Sequence, residues 1–248
     1  MSAPLISCIV PVFNGERYLR EALYSILAQT YRPLEVLVAD DGSTDGTAAV
    51  VASYGAQIRY VSQPNAGPAA ARNLGLRGAR GEFVAFLDAD DLWYPEKLTR
   101  QMARFAARPE LALCVTHARN FWAPELRERA ARYSNHRRMA ASIPDYSTVT
   151  LLAQRTLFDT VGGFDAAFAV GEDTDWFLRA AECAAVMELL PDVLVYRRLH
   201  QTNMSWRALP RNSKEREVIV RIIKASLDRR RRQNGGAVLP YQFPPSDW

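Results

Sequence analysis

The chain has 248 residues and a mass of 27.8 kDa, enough for one large domain, or one domain with an appendage, around a sizeable core. With 48% hydrophobic and 23% charged residues, and only 13 Gly and 14 Pro, its composition excludes fibrous, low-complexity and largely disordered readings. The formal net charge of +4 is concentrated: Arg207 to Arg232 holds ten Lys or Arg against three acids, a balance of +7, so the rest of the chain carries −3 and no nucleic acid is expected as a partner.

In chain order, Leu5 to Val12 reads as a first strand. Met1-Ser2-Ala3-Pro4 leads into it without a basic and an apolar leader region, and no apolar run approaches the roughly 18 residues of a membrane helix, so a cytoplasmic location is expected. An amphipathic helix follows, with Leu19, Ala22, Leu23, Ile26 and Leu27 on one face. Leu34 to Asp40 is a second strand, Ser43 a candidate cap for a second helix, and Ile58 to Val61 a third strand. Gly67-Pro68 opens a third helix, and Gly75, Gly78 and Gly81 run out of it into a strand at Phe83 to Leu87, reading as a helix end and turn. A fourth helix from about Pro95 buries Leu98, Met102 and Phe105 before a strand at Leu111 to Thr116.

From Ala118 to Pro144 the chain is Arg-rich and without clean period, with Trp122, Tyr133 and His136, and reads as a lid or binding loop. Beyond it, Ser147 to Leu152 looks like a strand and Arg155 to Val161 like a short helix stopped by Gly162-Gly163. Asp173 to Ala184 looks like a helix, and Met187 to Leu190 and Val193 to Leu199 like strands returning to the sheet. The last helix carries Val218, Ile219, Ile222, Ile223 and Leu227 on one stripe and ends in Arg229 to Arg232. It is either a docked helix with a solvated basic face or a peripheral contact with anionic lipid, on the inner face of the membrane, or with an acidic partner. Cys8, Cys114 and Cys183 are widely spaced and odd in number, expected as buried thiols rather than a disulfide framework or zinc site.

The carboxylates carry the chemistry. In open α/β sheets ligands bind at the carboxyl ends of strands, where Asp40-Asp41 and Asp88-Ala89-Asp90-Asp91 fall. Five acids on one crevice would repel by up to ~4 kcal/mol per pair at 4 Å with an effective dielectric near 20. A counter-ion is therefore expected, and oxygen ligands suit Mg²⁺ or Mn²⁺ completing its shell with water and substrate phosphates. Taken alone, the Asp-rich string also reads as a turn capping the helix at Pro95. GxxxxGK[ST] and GxGxxG are both missing, so neither a P-loop nor a dinucleotide fingerprint supplies the phosphate site.

Taken together, IVPVFNGERYLREALYSILAQTYRPLEVLVADDGST from Ile9 to Thr44, GPAAARNLGL from Gly67, GEFVAFLDADD from Gly81, and GGFD and GEDTDW from Gly162 and Gly171 resemble glycosyltransferase family 2. The match covers roughly residues 5 to 200. It implies a GT-A, Rossmann-like α/β fold: a mostly parallel central sheet flanked by helices, with a C-terminal acceptor-side region and a terminal basic helix. It also implies a nucleotide-diphosphate-sugar donor, a divalent metal and inversion at the anomeric carbon. Carried over by position, Pro11, Val12 and Asn14 line the base pocket, and Asp41 or Asp40 accepts from uracil, which favours a UDP-hexose. Arg72 contacts base or diphosphate, unless it is an exposed helix arginine. Asp88 touches ribose or reaches the metal through water, Ala89 beside it belongs to the nucleotide-sugar site, and Asp90 is the direct metal ligand. Asp91 is a ligand or a helix-capping acid.

Asp173 is the implied general base, since inverting transfer needs one carboxylate to take the acceptor proton. Glu172 and Asp175 flank it, one of them expected to cap the helix; Trp176 is an acceptor platform or core. His200 is a metal or phosphate ligand or a structural histidine, and Arg197 or Arg198 contacts the diphosphate. His117 and His136 are a strand-end and a loop residue. Residues 1–117 form the donor-binding half, 118–206 the acceptor-side half and 207–248 the basic helix and tail. Missing membrane helices and QxxRW favour single-sugar addition to an acceptor the sequence does not identify. A nucleotidyltransferase and a catalytically silent nucleotide-binding scaffold stay open as other readings.

Overall fold

The computed structural model describes residues 3–126, 142–168 and 170–203, together with 220–222, 224–226, 228 and 229 of a C-terminal helical stretch. Most of the stripe named above, and Tyr133, His136 and Arg230 to Arg232, lie outside the described residues.

A nine-stranded sheet runs β3-β2-β1-β4-β8-β6-β9-β5, with β7 paired to β6. Its first half is parallel: β1 (Ile6–Val12) lies between β2 (Leu34–Asp40) and β4 (Phe83–Phe86), and β3 (Ile58–Ser62) flanks β2. All seven residues of β1 are buried, as a strand covered by helices on both faces requires. The period of two divides them: Ile6, Cys8, Val10 and Val12 enter the cluster with Leu19, Leu23 and Ile26 of α1 (Leu19–Leu27) and Leu98 and Phe105 of α4 (Lys97–Ala107). Ile9 points to the opposite cluster, with Phe86, Leu157, Phe158, Phe164 and Trp176.

Gly67, at φ 92°, turns the chain into α3 (Pro68–Gly78), where Pro68 takes the first helical position. Gly75 is mid-helix rather than at its end. A Cβ there would lie 2.3 Å from Ile9 Cγ2, so the glycine lets α3 settle directly on β1. Ser43 does not cap α2 (Thr47–Ala52), whose N-cap is Gly46. Ser43 instead accepts from the backbone of Asn14 at 2.8 Å and donates its own N–H to Asp40 Oδ1 at 2.8 Å, closing the rim between β1 and β2.

The second half of the sheet is mixed. β8 (Leu152–Gln154) runs antiparallel to β4 and to β6 (Leu113–Trp122), and β7 (Ile143–Pro144) is antiparallel to β6. The strand expected from Ser147 is a 3₁₀ turn at Thr148–Thr150, because Thr150 Oγ1 donates to the carbonyls of Asp145 (2.7 Å) and Ser147 (2.9 Å) and curls the backbone. The two expected final strands are one, β9 (Met187–Leu199), parallel to β6 with register shifts around His117 that carry Pro191 and Asp192 as a bulge. His117 thus lies within β6, against Ser142 Oγ at 2.5 Å.

α5 (Arg155–Val161) ends at Gly162, φ 83°, as its glycine pair predicts, and α6 (Glu172–Glu182) follows. β5 (Leu92–Trp93) pairs antiparallel with β9, Leu92 opposite Tyr196 and Trp93 opposite Val195. That pairing hooks the Asp-rich loop onto the end of β9. Cys8 and Cys114 are buried, but Cys183 is exposed, at the C-cap of α6, so the expectation of three buried thiols is corrected. Among the described residues no helix is long and apolar enough to cross a membrane.

Candidate active site

The carboxyl ends of β1, β2 and β4 open on one rim, since Val12 pairs with Asp40 and Ile9 with Phe86 in parallel register. The five acids at that rim do not share one crevice. Asp40, 1% exposed, accepts from Tyr60 Oη at 2.5 Å and from Ser43 N. Asp41, 3% exposed, accepts from Gln63 Nε2 (2.7 Å), Ala66 N (3.0 Å) and Gly67 N (2.8 Å), stapling the loop that opens α3. Neither carboxylate waits unpartnered for a base. Pro11 and Val12 end β1 as buried residues, and Val12 O already accepts from Asp41 N at 2.8 Å. Asn14 is exposed, in the left-handed region at φ 50°, and its Oδ1 accepts from Thr44 N at 2.8 Å.

The Asp88 to Asp91 loop faces a different set of donors. Asp88 Oδ1 accepts from Arg72 Nη2 at 2.9 Å. Asp90 Oδ2 lies 2.7 Å from His200 Nε2 and accepts from Asn203 Nδ2 at 2.9 Å. Asp91 is neither cap nor exposed ligand. It is 4% exposed, its Oδ1 accepts from Arg198 N at 2.8 Å, and burial, reinforced by Asp90 and Asp88, holds its carboxyl well above the usual carboxylate range. Ala89 packs against the first core cluster.

Arg72 is not an exposed helix arginine: it is 6% exposed and joins the two sides of the site. Besides Asp88 it binds Glu172 through Nη1, and it lies 5.9 Å from the Phe164 ring. Burial alone would lower the guanidinium pKa, but Asp88, Glu172 and Asp173 outweigh it and raise it, while burial pushes Glu172 up against the opposing pull of Arg72. The N-cap of α6 is Gly171, so neither Glu172 nor Asp175 is the capping residue, though the Glu172 carboxylate takes its own first-turn backbone N–H. Asp175, 1% exposed, instead accepts from Arg179 Nε at 2.8 Å and Arg229 Nη1 at 3.1 Å. Asp173 Oδ1 accepts from Thr174 N at 2.7 Å. Trp176 is core, fully buried and stacked on Phe158 at 4.6 Å, with Nε1 donating to Gly162 O at 3.0 Å, so it offers an acceptor no face.

The two arginines of β9 separate by the strand's alternation. Arg198 turns inward, between Tyr18 (4.4 Å) and Phe121 (4.8 Å), where it donates from Nε to Asp90 O (2.9 Å) and from Nη2 to Glu21 (2.7 Å). It braces the Asp-rich loop from behind. Arg197 keeps a 38% exposed side chain, with Nη1 3.3 Å from Asp145 Oδ2. Burial opposes its charge, but Asp145, Asp91, Asp88 and Asp173 outweigh that and raise its pKa.

Sequence reasoning missed Asn203, which also accepts from His200 N at 2.5 Å, and Tyr18, whose ring lies 4.9 Å from that of His200. His200 and Asn203 stand three residues apart, a side-chain turn spacing that was readable. Asp145, raised by burial and eased by Arg197, had no signal in its irregular surroundings.

Among the described residues no three His, Cys, Asp or Glu side chains form a ready-made metal cage. The protein's own donors quiet most of the charge that seemed to demand a cation. What is left is a narrower fit: side chains of Asp88 and Asp90 are 37% and 28% exposed, and each keeps one oxygen that accepts no hydrogen bond from the described residues. Two such carboxylates with an imidazole beside them suit a hard divalent cation whose remaining ligands are phosphate oxygens and water.

The mixed α/β sheet flanked by helices, with acids at the carboxyl ends of its parallel strands, has the GT-A architecture of solved glycosyltransferases. S. aureus TarS residues 1–349 superpose with a TM-score of 0.71 at 23% identity over 91% of this chain and 65% of that one. PcManGT, a mannosyltransferase of Pyrobaculum calidifontis in complex with GDP-Man and Mn²⁺, gives 0.68 at 24% over 92% and 65%. The Glycosyl transferase family 2 model matches residues 7–169, and the chain belongs to that family. An uncharacterized glycosyltransferase of Rickettsia typhi is 32% identical over 221 residues, 84% of this chain and 68% of its own length. GlyA of Streptococcus pneumoniae is 42% identical over 109 residues, 41% of this chain and 16% of its own.

Proposed function

We propose that the chain moves a single hexose from a nucleoside-diphosphate sugar to an acceptor hydroxyl, with inversion, through a donor-binding half at residues 1–117 and an acceptor-side half at 118–206. The observation that carries this reading is the bridge made by Arg72, which binds Asp88 of the Asp-rich loop and Glu172 of α6 with one buried guanidinium. Donor-side acids and the base-side helix are thereby held across a single cation's width.

In this reading Arg197, the more exposed β9 arginine, meets the diphosphate, and Asp173 takes the acceptor proton. The acceptor oxygen bonds to the anomeric carbon as the bond from that carbon to the diphosphate oxygen breaks, the electron pair leaving with the nucleoside diphosphate. No second acid is required, because that leaving group departs as a stable anion. Asp90 and Asp88 would hold Mg²⁺ or Mn²⁺, which would stabilise charge on the departing diphosphate, while His200, whose Nδ1 accepts from Thr202 N at 3.3 Å and whose Nε2 faces Asp90 Oδ2, would orient Asp90 rather than ligate the ion as the sequence suggests. Arg198, Asn203 and Tyr18 keep Asp90 and His200 in place. Asp40 and Asp41 already accept from Tyr60, Gln63 and the loop before α3, so a uracil N–H would share Asp41 or Asp40 with those donors, and the UDP preference draws as well on TarS, which is known in complex with UDP-GlcNAc.

The test is donor hydrolysis, sugar transfer to water, over UDP-GlcNAc, UDP-glucose and GDP-mannose with Mn²⁺ and with chelator. Release of nucleoside diphosphate and free sugar is expected, with Asp173→Asn reducing it about a hundredfold or more. Release of pyrophosphate would indicate nucleotidyl transfer instead, and binding without turnover under all conditions would indicate a silent scaffold.

A further inference from the structure

We propose that Arg229 is a positioning residue for the base-bearing helix: the C-terminal helical stretch is a latch that sets α6, and with it Asp173, against the donor rim. This rests on the reading of Asp173 as the base. As a sequence, Arg229 begins a basic run suited to solvent or to an anionic surface. The structure turns it inward. Its Nη1 donates to Asp175 Oδ1 at 3.1 Å and its Nε to Glu182 Oε2 at 3.0 Å, and those two carboxylate side chains are 1% and 4% exposed.

Asp175 and Glu182 stand seven residues apart, two turns along one face of α6. A single guanidinium that grips both fixes the helix in rotation and along its axis, where one contact would leave a pivot. Ser226 also donates to Glu182, and Ile222 and Ser226 are 3% and 7% exposed, so Ile222, Ser226 and Arg229 form the inward stripe of the latch while Val220, 60% exposed, faces away. Arg221 lies 5.7 Å from the ring of Phe168, in the segment that leads into α6.

The other flank of α6 is fastened separately: Arg179 holds Asp175 and donates to the carbonyls of Val161 (2.6 Å) and Gly163 (2.8 Å) at the end of α5. Among the described residues Asp173 has only local hydrogen bonds, to Thr174, so its carboxylate goes where the first turn of α6 goes. Arg229 Nη2 is buried with no hydrogen-bond partner among the described residues, so the side chain, 24% exposed overall, is drawn onto α6 although one donor goes unmatched there. A solvated basic face would not leave that signature.

The experiment is a double-mutant cycle on the full chain, read by hydrolysis of UDP-GlcNAc and of GDP-mannose with Mn²⁺, with the active fraction set by calorimetric binding stoichiometry. Arg229→Ala is expected to lower kcat about tenfold with donor KM within about twofold, since a base displaced by a fraction of an ångström loses rate without loosening the donor. Arg229→Lys, which reaches one carboxylate but not both, is expected to recover part of the loss, and carries the cycle if the alanine chain does not fold. In the Asp173→Asn background the Arg229 change is expected to cost nothing further. An unchanged kcat in Arg229→Ala, or the same fold-loss with and without the Asp173 carboxylate, would overturn the latch alone. Normal turnover by Asp173→Asn would remove the base assignment and the latch with it.

Discussion

Lys97 gives the fold a stability profile that rises above neutrality. It is the first residue of α4 and fully buried; Nζ donates to Gln101 Oε1 at 2.9 Å and lies 4.3 Å from the Trp93 ring. Burial lowers its pKa from 10.5 to about 7. The unfolded chain therefore keeps the lysine proton over a range in which the folded chain has lost it, and stability rises with pH through that range. Integrated from pH 7 to 9, this amounts to about 2 kcal/mol, or roughly 4–8 °C in Tm for a chain of this size. The neighbouring thiols act oppositely. Burial pushes Cys8 and Cys114 from 9.0 to about 12, so the folded state holds more protons above pH 9 and stability falls again, leaving a maximum near that pH. Urea denaturation followed by tryptophan fluorescence from pH 6 to 10 measures the profile. Lys97→Met should flatten the segment between pH 7 and 9 while leaving the fall above it. A flat wild-type profile between pH 7 and 9, or an unchanged slope in Lys97→Met, would refute the assignment of a neutral buried lysine.

Three further outcomes are expected. Glu172→Ala leaves Arg72 buried with Asp88 as its one remaining salt bridge among the described residues and should cost roughly 3 kcal/mol by denaturation, more than Asp88→Ala, whose site is open to water. Gly75→Ala should cost about 1–3 kcal/mol, because the new methyl meets Ile9 Cγ2, and the cost should shrink in an Ile9→Ala background. Arg198→Lys keeps the charge but loses the planar Nε contact to Asp90 O between Tyr18 and Phe121; donor affinity by calorimetry should fall about tenfold with little change in Tm.

The parallel half of the sheet was legible because its signals are local. The largely apolar Ile6–Val12, the i, i+3, i+4 face of Leu19–Leu27 and the Gly67-Pro68 start need no distant partner to be read. β5, β7 and β8 are two or three residues long and exist only through their pairing, so no periodicity could announce them. Similarly, Asp88, Asp90 and Asp173 were conspicuous as an acidic string and a helix start. What Asp88 and Asp90 touch depends on Arg72, Arg198 and Asn203, between 16 and 113 residues away in sequence. Chain order alone could not show that Asp40 and Asp41 face Tyr60 and the loop before α3. The inward turn of Arg229 was hidden for the same reason, since a basic run at a helix end looks identical whether solvent or two carboxylates face it.

The central claim is that the rim carrying Asp88 and Asp90 holds a nucleoside-diphosphate donor through a divalent cation. Calorimetric titration of UDP-GlcNAc and GDP-mannose into the full chain, with Mn²⁺ and with EDTA, for the wild type and Asp90→Ala, tests it most directly. The account predicts micromolar to millimolar binding of one donor that chelator and Asp90→Ala each abolish, with an unchanged melting curve. Equal binding with the cation removed, or full retention in Asp90→Ala, would contradict it.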